Sequence, residues 1–186
     1  MRTIISLAHI SLDGYIADAT GGIRFISYDE ALRDYVQPLM APVDTAIYGR
    51  TTYEMMESYW PGEVDAKDDY SRTHARWYRD VAKIVASRTL KESKPNTRIV
   101  GDDIVGMLRA EKQKPGGAMM IFASATLTHA LAAADVVDEW RLTIQPVMLG
   151  GGLSLFSHLD QRKKLELRSS KAFASGVIAA HYATVR

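Results

Sequence analysis

The side chains best suited to bind an anion lie at a junction between a predicted strand and a predicted helix, at residues 45–54. A short apolar, β-prone run stops at Gly49 and Arg50, and in the helix that follows Thr51 and Glu54 have the three-residue spacing of a capping box. Backbone N–H groups at a helix N-terminus and the helix dipole both attract negative charge. Arg50 adds a charge-assisted donor that suits phosphate. The alternative is an ordinary capped helix with an arginine on its surface.

The same arrangement occurs twice more along the chain. One apolar run ends in Ser87 and Arg88, and another ends in Ala123 and Ser124, with Ser124 as a plausible N-cap of the helix that follows. Small side chains at that position let a ligand approach the backbone. Ligands of open α/β sheets bind outside the carboxyl ends of the strands. Three such strand ends therefore indicate one large ligand with several negative charges, and a phosphorylated dinucleotide fits.

Composition narrows the class of protein. The chain has 186 residues, of which 47% are hydrophobic, enough for one domain with a sizeable core. Its 23 basic and 22 acidic residues leave no positive excess for a nucleic-acid partner. The absence of cysteine excludes disulfides, thiolate zinc sites and cysteine nucleophiles. The N-terminal run is too short and interrupted for a signal peptide, and no apolar run approaches the ~20 residues needed to cross a membrane, so we expect a cytoplasmic protein.

Strand and helix patterns alternate along the chain, which is typical of a three-layer α/β domain with a mostly parallel sheet. Apolar periodicity and turn residues predict a buried strand at 3–10, a helix after a capping box of Ser27 and Glu30, a helix at 70–81, a strand at 97–100, a helix at 104–112 and a half-buried strand at 140–145. The runs 165–173 and 177–185 flank a short turn and predict an antiparallel C-terminal hairpin.

Several of these segments together resemble one known family. The segments are 11–17, 48–54, 87–90, 136–139, 145–152 and 155–156. Their order and spacing are similar to those of the dihydrofolate-reductase-like proteins related to the C-terminal reductase domain of the bifunctional riboflavin-biosynthesis deaminase-reductase. The likeness covers nearly the whole chain, taken as a single domain over 1–186, and no deaminase zinc signature is present. It implies a dihydrofolate-reductase-like fold, usually dimeric, that binds NADPH.

The resemblance also implies positions for the cofactor. Gly49, Arg50, Thr51 and Thr52 would contact the pyrophosphate and adenosine phosphates. The adenosine 2′-phosphate would be held by Ser87 and Arg88, beside Thr89, and the nicotinamide would lie between Ala8 and Ile16. Ala123 and Ser124 belong to the same site, as do Gly150 and Gly151, which form either a loop over the cofactor or a flexible turn. The family commonly has glycine where this chain has Ala123, a change that is harmless unless the backbone there has a positive φ.

The proton donor of such a reaction is less evident. Asp13 is the leading candidate because the family motif places it in the loop after the first strand, near the ring of the cofactor. Its alternative role is that of a turn residue before Gly14. Asp29 is the second candidate, and its alternative is a first-turn carboxylate favoured by the helix dipole.

The roles of the histidines and of several aromatic residues are less specific. The five histidines, including His158, lack the short paired spacing of a zinc site, so no metal is expected. His9 either faces a substrate or is a hydrogen-bonded histidine of the sheet. Tyr59, Trp60 and Trp77 either line a substrate pocket or pack in the core.

These observations predict an NADPH-dependent reductase that transfers a hydride to a small nitrogen heterocycle. The substrate would be a pteridine, as for dihydrofolate reductase, or a ribosylamino-pyrimidine, as for 5-amino-6-(5-phosphoribosylamino)uracil reductase. The alternative is an NADPH-binding regulatory or interaction protein without turnover. A homodimer is also expected, because the hairpin would expose either Ile178, Ala180 and Tyr182 or Val177, Ala179 and Val185.

Overall fold

The computed structural model describes residues 1–92, 94–157, 159 and 161–186. The strands are β1 (Ile4–Ser11), β2 (Tyr15–Ala17), β3 (Val43–Gly49), β4 (Ala82–Ala86), β5 (Thr97–Val100), β6 (Ala118–Phe122), β7 (Glu139–Gln145), β8 (Leu153–Ser154), β9 (Leu165–Ala172) and β10 (Ile178–Thr184). The α-helices are α1 (Glu30–Val36), α2 (Arg50–Tyr59), α3 (Asp69–Asp80), α4 (Ile104–Lys112) and α5 (Ala125–Ala133). Short 3₁₀ helices cover Gln37–Met40 and Trp60–Glu63.

The central sheet has eight strands in the order β5-β4-β3-β6-β1-β7-β10-β9. The six strands from β5 to β7 are parallel to one another, whereas β10 is antiparallel to both β7 and β9. A separate two-stranded sheet joins β2 and β8. The predicted mostly parallel sheet with an antiparallel C-terminal hairpin is therefore confirmed.

Apolar clusters on both faces of the sheet hold the helices in place. One cluster joins Leu32 of α1 and Tyr78 of α3 to Leu7 of β1. The cluster on the other face joins Leu108 of α4 and Leu131 of α5 to Ile4, three residues earlier on the same strand. Successive side chains of a strand point to opposite faces, so a central strand covered on both sides needs apolar side chains on both of them. The three-layer arrangement follows.

The prediction that β7 is half-buried is wrong. Its polar residues Thr143 and Gln145 are as inaccessible as Trp140 and Leu142, with Gln145 0% exposed. Both side chains have polar partners inside the domain, since Thr143 bonds His9 and Gln145 bonds the Ser27 amide, whereas Arg141 of the same strand is partly exposed. The alternation of polar and apolar residues therefore marks a buried polar network and not an exposed face.

The capping box predicted at Ser27 and Glu30 is also wrong. Helix α1 begins at Glu30, and Asp29 is its N-cap, with a side-chain oxygen that accepts a hydrogen bond from the Leu32 amide at 2.9 Å. Ser27 instead donates its backbone N–H to Oε1 of Gln145, also at 2.9 Å. A carboxylate directly before the helix satisfies the first-turn amides more simply than a hydroxyl two residues earlier.

The predicted C-terminal hairpin is confirmed, but neither set of outer-face residues is exposed as a unit. Ala179 and Ala180 point to opposite faces of the sheet and are both buried, Ala179 within the apolar cluster that contains Leu32 and Tyr78. Strand β9 is the edge, and seven of its eight residues are exposed. The exposed large apolar side chains of the hairpin region are Leu167, Ile178 and Val185. No helix in the described part of the chain is long and apolar enough to cross a membrane.

We expect a homodimer in which β9 is covered by a second copy of the chain. An uncovered edge strand with exposed apolar side chains favours association through a closed two-fold interface. Light scattering at micromolar concentration should therefore give twice the 20.6 kDa mass of the chain. Leu167→Glu should shift the mass to that of a monomer, whereas Ile23→Glu, at an exposed apolar residue outside the hairpin, should not. A wild-type protein that stays monomeric would contradict this arrangement.

Candidate active site

The three predicted strand-to-helix junctions meet at one edge of the sheet. The backbone N–H of Gly49, at the end of β3, donates to Oγ of Ser124 at 3.0 Å. The same Oγ lies 3.0 Å from the Thr52 hydroxyl. Arg50 donates to the hydroxyl of Thr89, beyond the end of β4, at 3.4 Å. Residues separated by up to 75 positions in sequence are thus in direct contact.

Two helices begin at this edge without a side-chain cap. Among the α-helices in the part of the chain that the structure describes, α1, α3 and α4 are capped by Asp29, Asp68 and Asp103. Helices α2 and α5, whose N-cap residues are Gly49 and Ser124, have no such bond. Their first-turn amides therefore remain available to an anion, and the helix dipoles add to the attraction.

This geometry corrects two predictions about the helix termini. The capping box of Thr51 and Glu54 does not form, because α2 begins at Arg50 and Thr51 already lies within its first turn. Ser124 is the N-cap of α5, as predicted, but its hydroxyl bonds Gly49 and the Phe122 carbonyl and does not cap the helix.

The turn between β6 and α5 has an unusual backbone. Ala123 and Ser124 have φ values of +49° and +41°, in the left-handed region that favours glycine. The turn is held by the Ala123 amide, which donates to the Leu7 carbonyl at 3.0 Å, and by the Thr128 hydroxyl, which donates to the Ala123 carbonyl at 3.0 Å. The replacement of glycine by Ala123 therefore strains the backbone, and this strain lowers the free energy of unfolding by an amount of order 1–3 kcal/mol. Strain of this kind concentrates at functional sites.

The basic side chains of this edge are exposed but already paired. Nε of Arg88 lies 2.9 Å from the Asp102 carboxylate, and Arg50 lies 4.0 Å from Glu54. The hydroxyl of Ser87 accepts the backbone N–H of Leu90 at 2.9 Å, which fixes the loop that carries Arg88. Exposed ion pairs of this kind are worth at most about 1 kcal/mol, so an arriving phosphate can displace the carboxylates.

Asp13 connects the loop after β1 to the glycine-rich loop after β7 by hydrogen bonds. Its carboxylate accepts the backbone N–H groups of Leu149 at 3.1 Å and Gly150 at 2.8 Å, and the Ser11 hydroxyl at 2.6 Å. The hydroxyl of Ser11 and the two amides lower the pKa of Asp13 to about 2. Such a group is ionised at neutral pH and holds no proton to donate, so the contacts support a positioning role. Its role as proton donor stays a prediction.

The same loop is tightly built at one glycine and open at the others. Gly152 has a φ of +135°, and a Cβ placed there would lie 2.1 Å from the Ala17 carbonyl oxygen. Gly150 has a φ of +69°, and neither it nor Gly151 has a neighbour where a side chain would go. A ligand can therefore approach the backbone at Gly150 and Gly151.

Ala8 and Ile16, which the resemblance assigns to the two sides of the nicotinamide, lie in the same part of the structure. Both are buried in one apolar cluster, and Ala123 packs against it. Ala8 also lines the cavity described next, whereas Ile16 does not. Asp29 is absent from the described lining of that cavity, and its carboxylate serves as the cap of α1.

An aromatic cavity of about 350 Å³ opens beside this edge, between the sheet, α1, α2 and α3. Its lining residues are Leu7, Ala8, His9, Tyr28, Arg33, Val36, Met40, Met56, Tyr59, Trp60, Tyr70, Ser71, His74, Phe122 and Ala123. The rings of Trp60 and His74 are stacked with centroids 3.9 Å apart. Tyr59 and Trp60 thus line a cavity, as one of the two interpretations held, while Trp77 packs behind His74 and Phe122.

A buried polar chain leads from the sheet to this cavity. Nδ1 of His9 lies 2.5 Å from the Thr143 hydroxyl, which in turn lies 3.5 Å from Nε2 of Gln145. Burial lowers the pKa of His9 to about 4, and it lowers the pKa of His74 to about 4 as well. Both histidines are therefore neutral at physiological pH. The sequence pattern did not predict these hydrogen bonds, because Thr143 and Gln145 alternate with apolar residues in the way that exposed side chains of a strand do.

The remaining histidines do not form a metal site in the described residues. His129 bonds the Ser154 carbonyl at 3.1 Å, and His181 lies 2.9 Å from the Glu139 carboxylate. His158 lies outside the residues that the structure describes. Within the described ranges, no three or more histidine or acidic side chains are grouped so that they could hold a metal ion.

The sheet order and the site at its carboxyl edge define a dihydrofolate-reductase-like domain. The model of the RibD C-terminal domain family matches residues 2–179, and the chain belongs to that family. It is 30% identical over 186 residues to the uncharacterized protein YyaP of Bacillus subtilis (strain 168), covering 97% of this chain and 94% of the relative.

Two solved structures share the fold. A putative riboflavin biosynthesis protein from Shewanella sp. PV-4 superposes with a TM-score of 0.76 and 24% identity, over 99% of both chains. The diaminohydroxyphosphoribosylaminopyrimidine deaminase/5-amino-6-(5-phosphoribosylamino)uracil reductase of Thermotoga maritima superposes with a TM-score of 0.69 and 15% identity. That likeness covers 99% of this chain but 57% of the Thermotoga chain. The predicted family and fold are therefore confirmed.

The low pKa of the two cavity histidines should make the protein less stable in acid. The unfolded chain, with histidine pKa values near 6.5, binds more protons than the folded chain between pH 6.5 and 4, so stability rises with pH in that window. Each histidine should cost about 2 kcal/mol of unfolding free energy between pH 7 and pH 5. In His74→Phe, denaturant titrations should show a pH dependence smaller by that amount. Tyr59→Phe, which removes no histidine and no hydrogen bond to one, should retain the full dependence, and equal slopes in all three proteins would contradict the assignment.

The contacts of Asp13 predict a graded effect of its replacement. Asp13→Asn keeps one acceptor oxygen for the loop amides, whereas Asp13→Ala keeps none. Hydrogen exchange at Leu149 and Gly150 should therefore become much faster in Asp13→Ala than in Asp13→Asn. If Asp13 donated a proton in the reaction, both variants would lose that proton-transfer step to the same extent. Unchanged exchange in Asp13→Ala would exclude the positioning role.

Proposed function

We propose that this protein is an NADPH-dependent reductase that transfers a hydride to a small nitrogen heterocycle. The proposal rests chiefly on the two uncapped helix termini that meet at one edge of the sheet, directly beside an aromatic cavity. Membership of the RibD C-terminal domain family and the reductase activity in the name of the Thermotoga protein support it. The protein would act in the cytoplasm, as the sequence predicts.

The residues at the edge fit a cofactor with three phosphates. The free first-turn amides of α2 and α5 would hold the pyrophosphate, with Arg50, Thr52 and Ser124 at their junction. The Ser87 hydroxyl fixes the loop that carries Arg88. The exposed guanidinium of Arg88 would hold the 2′-phosphate that distinguishes NADPH from NADH. When bound, NADPH supplies the hydride, and the protein supplies binding and orientation.

Ala8 and Ala123 connect the phosphate edge to the cavity. Ala123 lines the cavity and is followed directly by Ser124, whose hydroxyl bonds the N-cap of α2. Ala8, on the neighbouring strand β1, lines the cavity from the sheet side. A cofactor with its pyrophosphate at Ser124 would thus extend its ring past two small side chains toward a substrate in the cavity. Close approach of the two reacting rings is what such a reaction needs.

Absorbance at the NADPH band tests the reaction with a panel of pteridines and ribosylamino-pyrimidines. Oxidation of NADPH that depends on one of these compounds would support the proposal. NADPH binding without oxidation by any of them would favour the alternative from the sequence, a binding protein without turnover.

The cofactor choice predicts the effect of one substitution. Arg88→Ala should weaken NADPH binding by roughly 10- to 150-fold, because a charge-assisted hydrogen bond to the 2′-phosphate is lost, and should leave NADH binding nearly unchanged. Calorimetric titration of both cofactors measures this. Arg79→Ala is the matched control, since Arg79 forms a similar pair with Asp80 at 2.7 Å but precedes β4, at the opposite end of the strand. Equal losses for NADPH and NADH would assign Arg88 a structural role.

A further inference from the structure

The cavity has little capacity to bind a phosphate. Among its described lining residues, Arg33 is the one side chain with a permanent charge, and that charge is already engaged. Its Nε donates to the Tyr28 carbonyl at 3.0 Å, and its Nη1 lies 3.7 Å from the Asp68 carboxylate. Its guanidinium also lies over the ring of Tyr70, 5.7 Å from the centroid. A phosphate brings about −1.5 to −2 charges at neutral pH, and in the cavity it would meet one guanidinium that already has three contacts.

The histidines of the cavity do not supply the missing charge. Burial lowers the pKa of both His9 and His74 to about 4, so each ring is neutral near pH 7. The cavity therefore differs in kind from the neighbouring edge of the sheet, where Arg50 and Arg88 are exposed and two helix termini are open. The edge thus offers a phosphate two arginines and two open helix termini, whereas the cavity offers one arginine.

The walls of the cavity suit a flat ring. Trp60 and His74 form a stacked pair, inclined by 25°, and the edge of Tyr28 meets His9 at 83°. Aromatic faces bind planar rings by offset stacking and by edge-to-face contacts. A volume of about 350 Å³ is at the lower end of the range for small-molecule sites, so the occupant is compact.

The hydrogen bonds of Gln145 and Thr143 favour one tautomer of His9. The Ser27 amide donates to Oε1 of Gln145, so Nε2 of Gln145 is its donor end and points to the Thr143 hydroxyl oxygen. The hydrogen of that hydroxyl is then free to donate to Nδ1 of His9. A neutral imidazole that accepts at Nδ1 carries its proton at Nε2. His9 lines the cavity and thus offers it a neutral N–H donor.

We propose that the cavity selects a planar, uncharged nitrogen heterocycle without a phosphate group, and that Nε2–H of His9 donates to a carbonyl oxygen or ring nitrogen of that heterocycle. This inference rests on the proposed function, in which the cavity holds the substrate. It favours the pteridine of the two substrate classes that the sequence left open, since a phosphoribosylamino-pyrimidine carries a phosphate and a free pteridine does not. His9 is then a specificity-determining residue of the substrate site.

Calorimetric binding of a matched pair of ligands tests the charge preference without any turnover. The pair is 6-hydroxymethylpterin and its monophosphate, each titrated into the full-length protein at pH 7. The uncharged compound should bind at least about 10-fold more tightly, because the phosphate must be desolvated without a free cation. Equal or tighter binding of the monophosphate would overturn the inference. Tighter binding of the pterin without any NADPH oxidation would leave the cavity preference standing and reject the proposed function instead.

Two measurements test the role of His9. His9→Phe should weaken binding of 6-hydroxymethylpterin by about 5- to 12-fold, the loss of one neutral hydrogen bond, whereas His129→Phe, outside the cavity, should not. Nitrogen-15 NMR of the unsubstituted protein gives the tautomer directly and does not depend on how the variant folds. A proton on Nε2 of His9 at pH 7 supports the inference, and a proton on Nδ1 would overturn it.

Discussion

Six neighbouring strands run in one direction, and each delivers its carboxyl end to the same edge of the sheet. Everything at the site depends on this parallel pairing. It places Gly49, Ser87 and Ser124 at one edge, although they are separated by dozens of residues along the chain, and it starts two helices there with their amides directed at the same space. Because β1 is central and apolar on both faces, the edge is also fixed relative to the cavity that β1 lines through His9.

The site consists of two adjoining regions that differ in exposure and in the polar groups they offer a ligand. The edge is exposed and has backbone donors and two arginine–carboxylate pairs, whereas the cavity is aromatic and has Arg33 as the one charged side chain of its described lining. The boundary is the turn at Ala123 and Ser124, where two consecutive residues adopt left-handed conformations. That backbone lets Ala123 face the cavity while Ser124 bonds Gly49 at the edge. The strain at this turn is thus located where the charged and the neutral parts of one ligand would join.

The sequence predicted the fold well because its signals are local and periodic. The strand at Thr97–Val100 and the helix at Ile104–Lys112 have the predicted limits, and the repeated pattern at three strand ends predicted that their junctions converge. Predictions failed where tertiary contacts override a local pattern. Thr143 and Gln145 alternate with apolar residues as exposed side chains do, yet both are buried and bond to polar partners distant in sequence. The absence of a cap on α2 was equally hidden, because Thr51 has a capping type and spacing but lies one residue inside the helix.

The two uncapped helices also tie the stability of the fold to what the protein binds. A missing side-chain cap forgoes typically about 0.5–2 kcal/mol, and here the deficit occurs twice, at α2 and at α5. An anionic ligand that satisfies these amides restores what the side chains do not provide, and at a concentration 100 times its Kd it adds about 2.7 kcal/mol to a domain whose total stability is typically about 5–15 kcal/mol. The unliganded chain is therefore the form most open to unfolding and proteolysis. Its lifetime in a cell would follow the supply of its ligand.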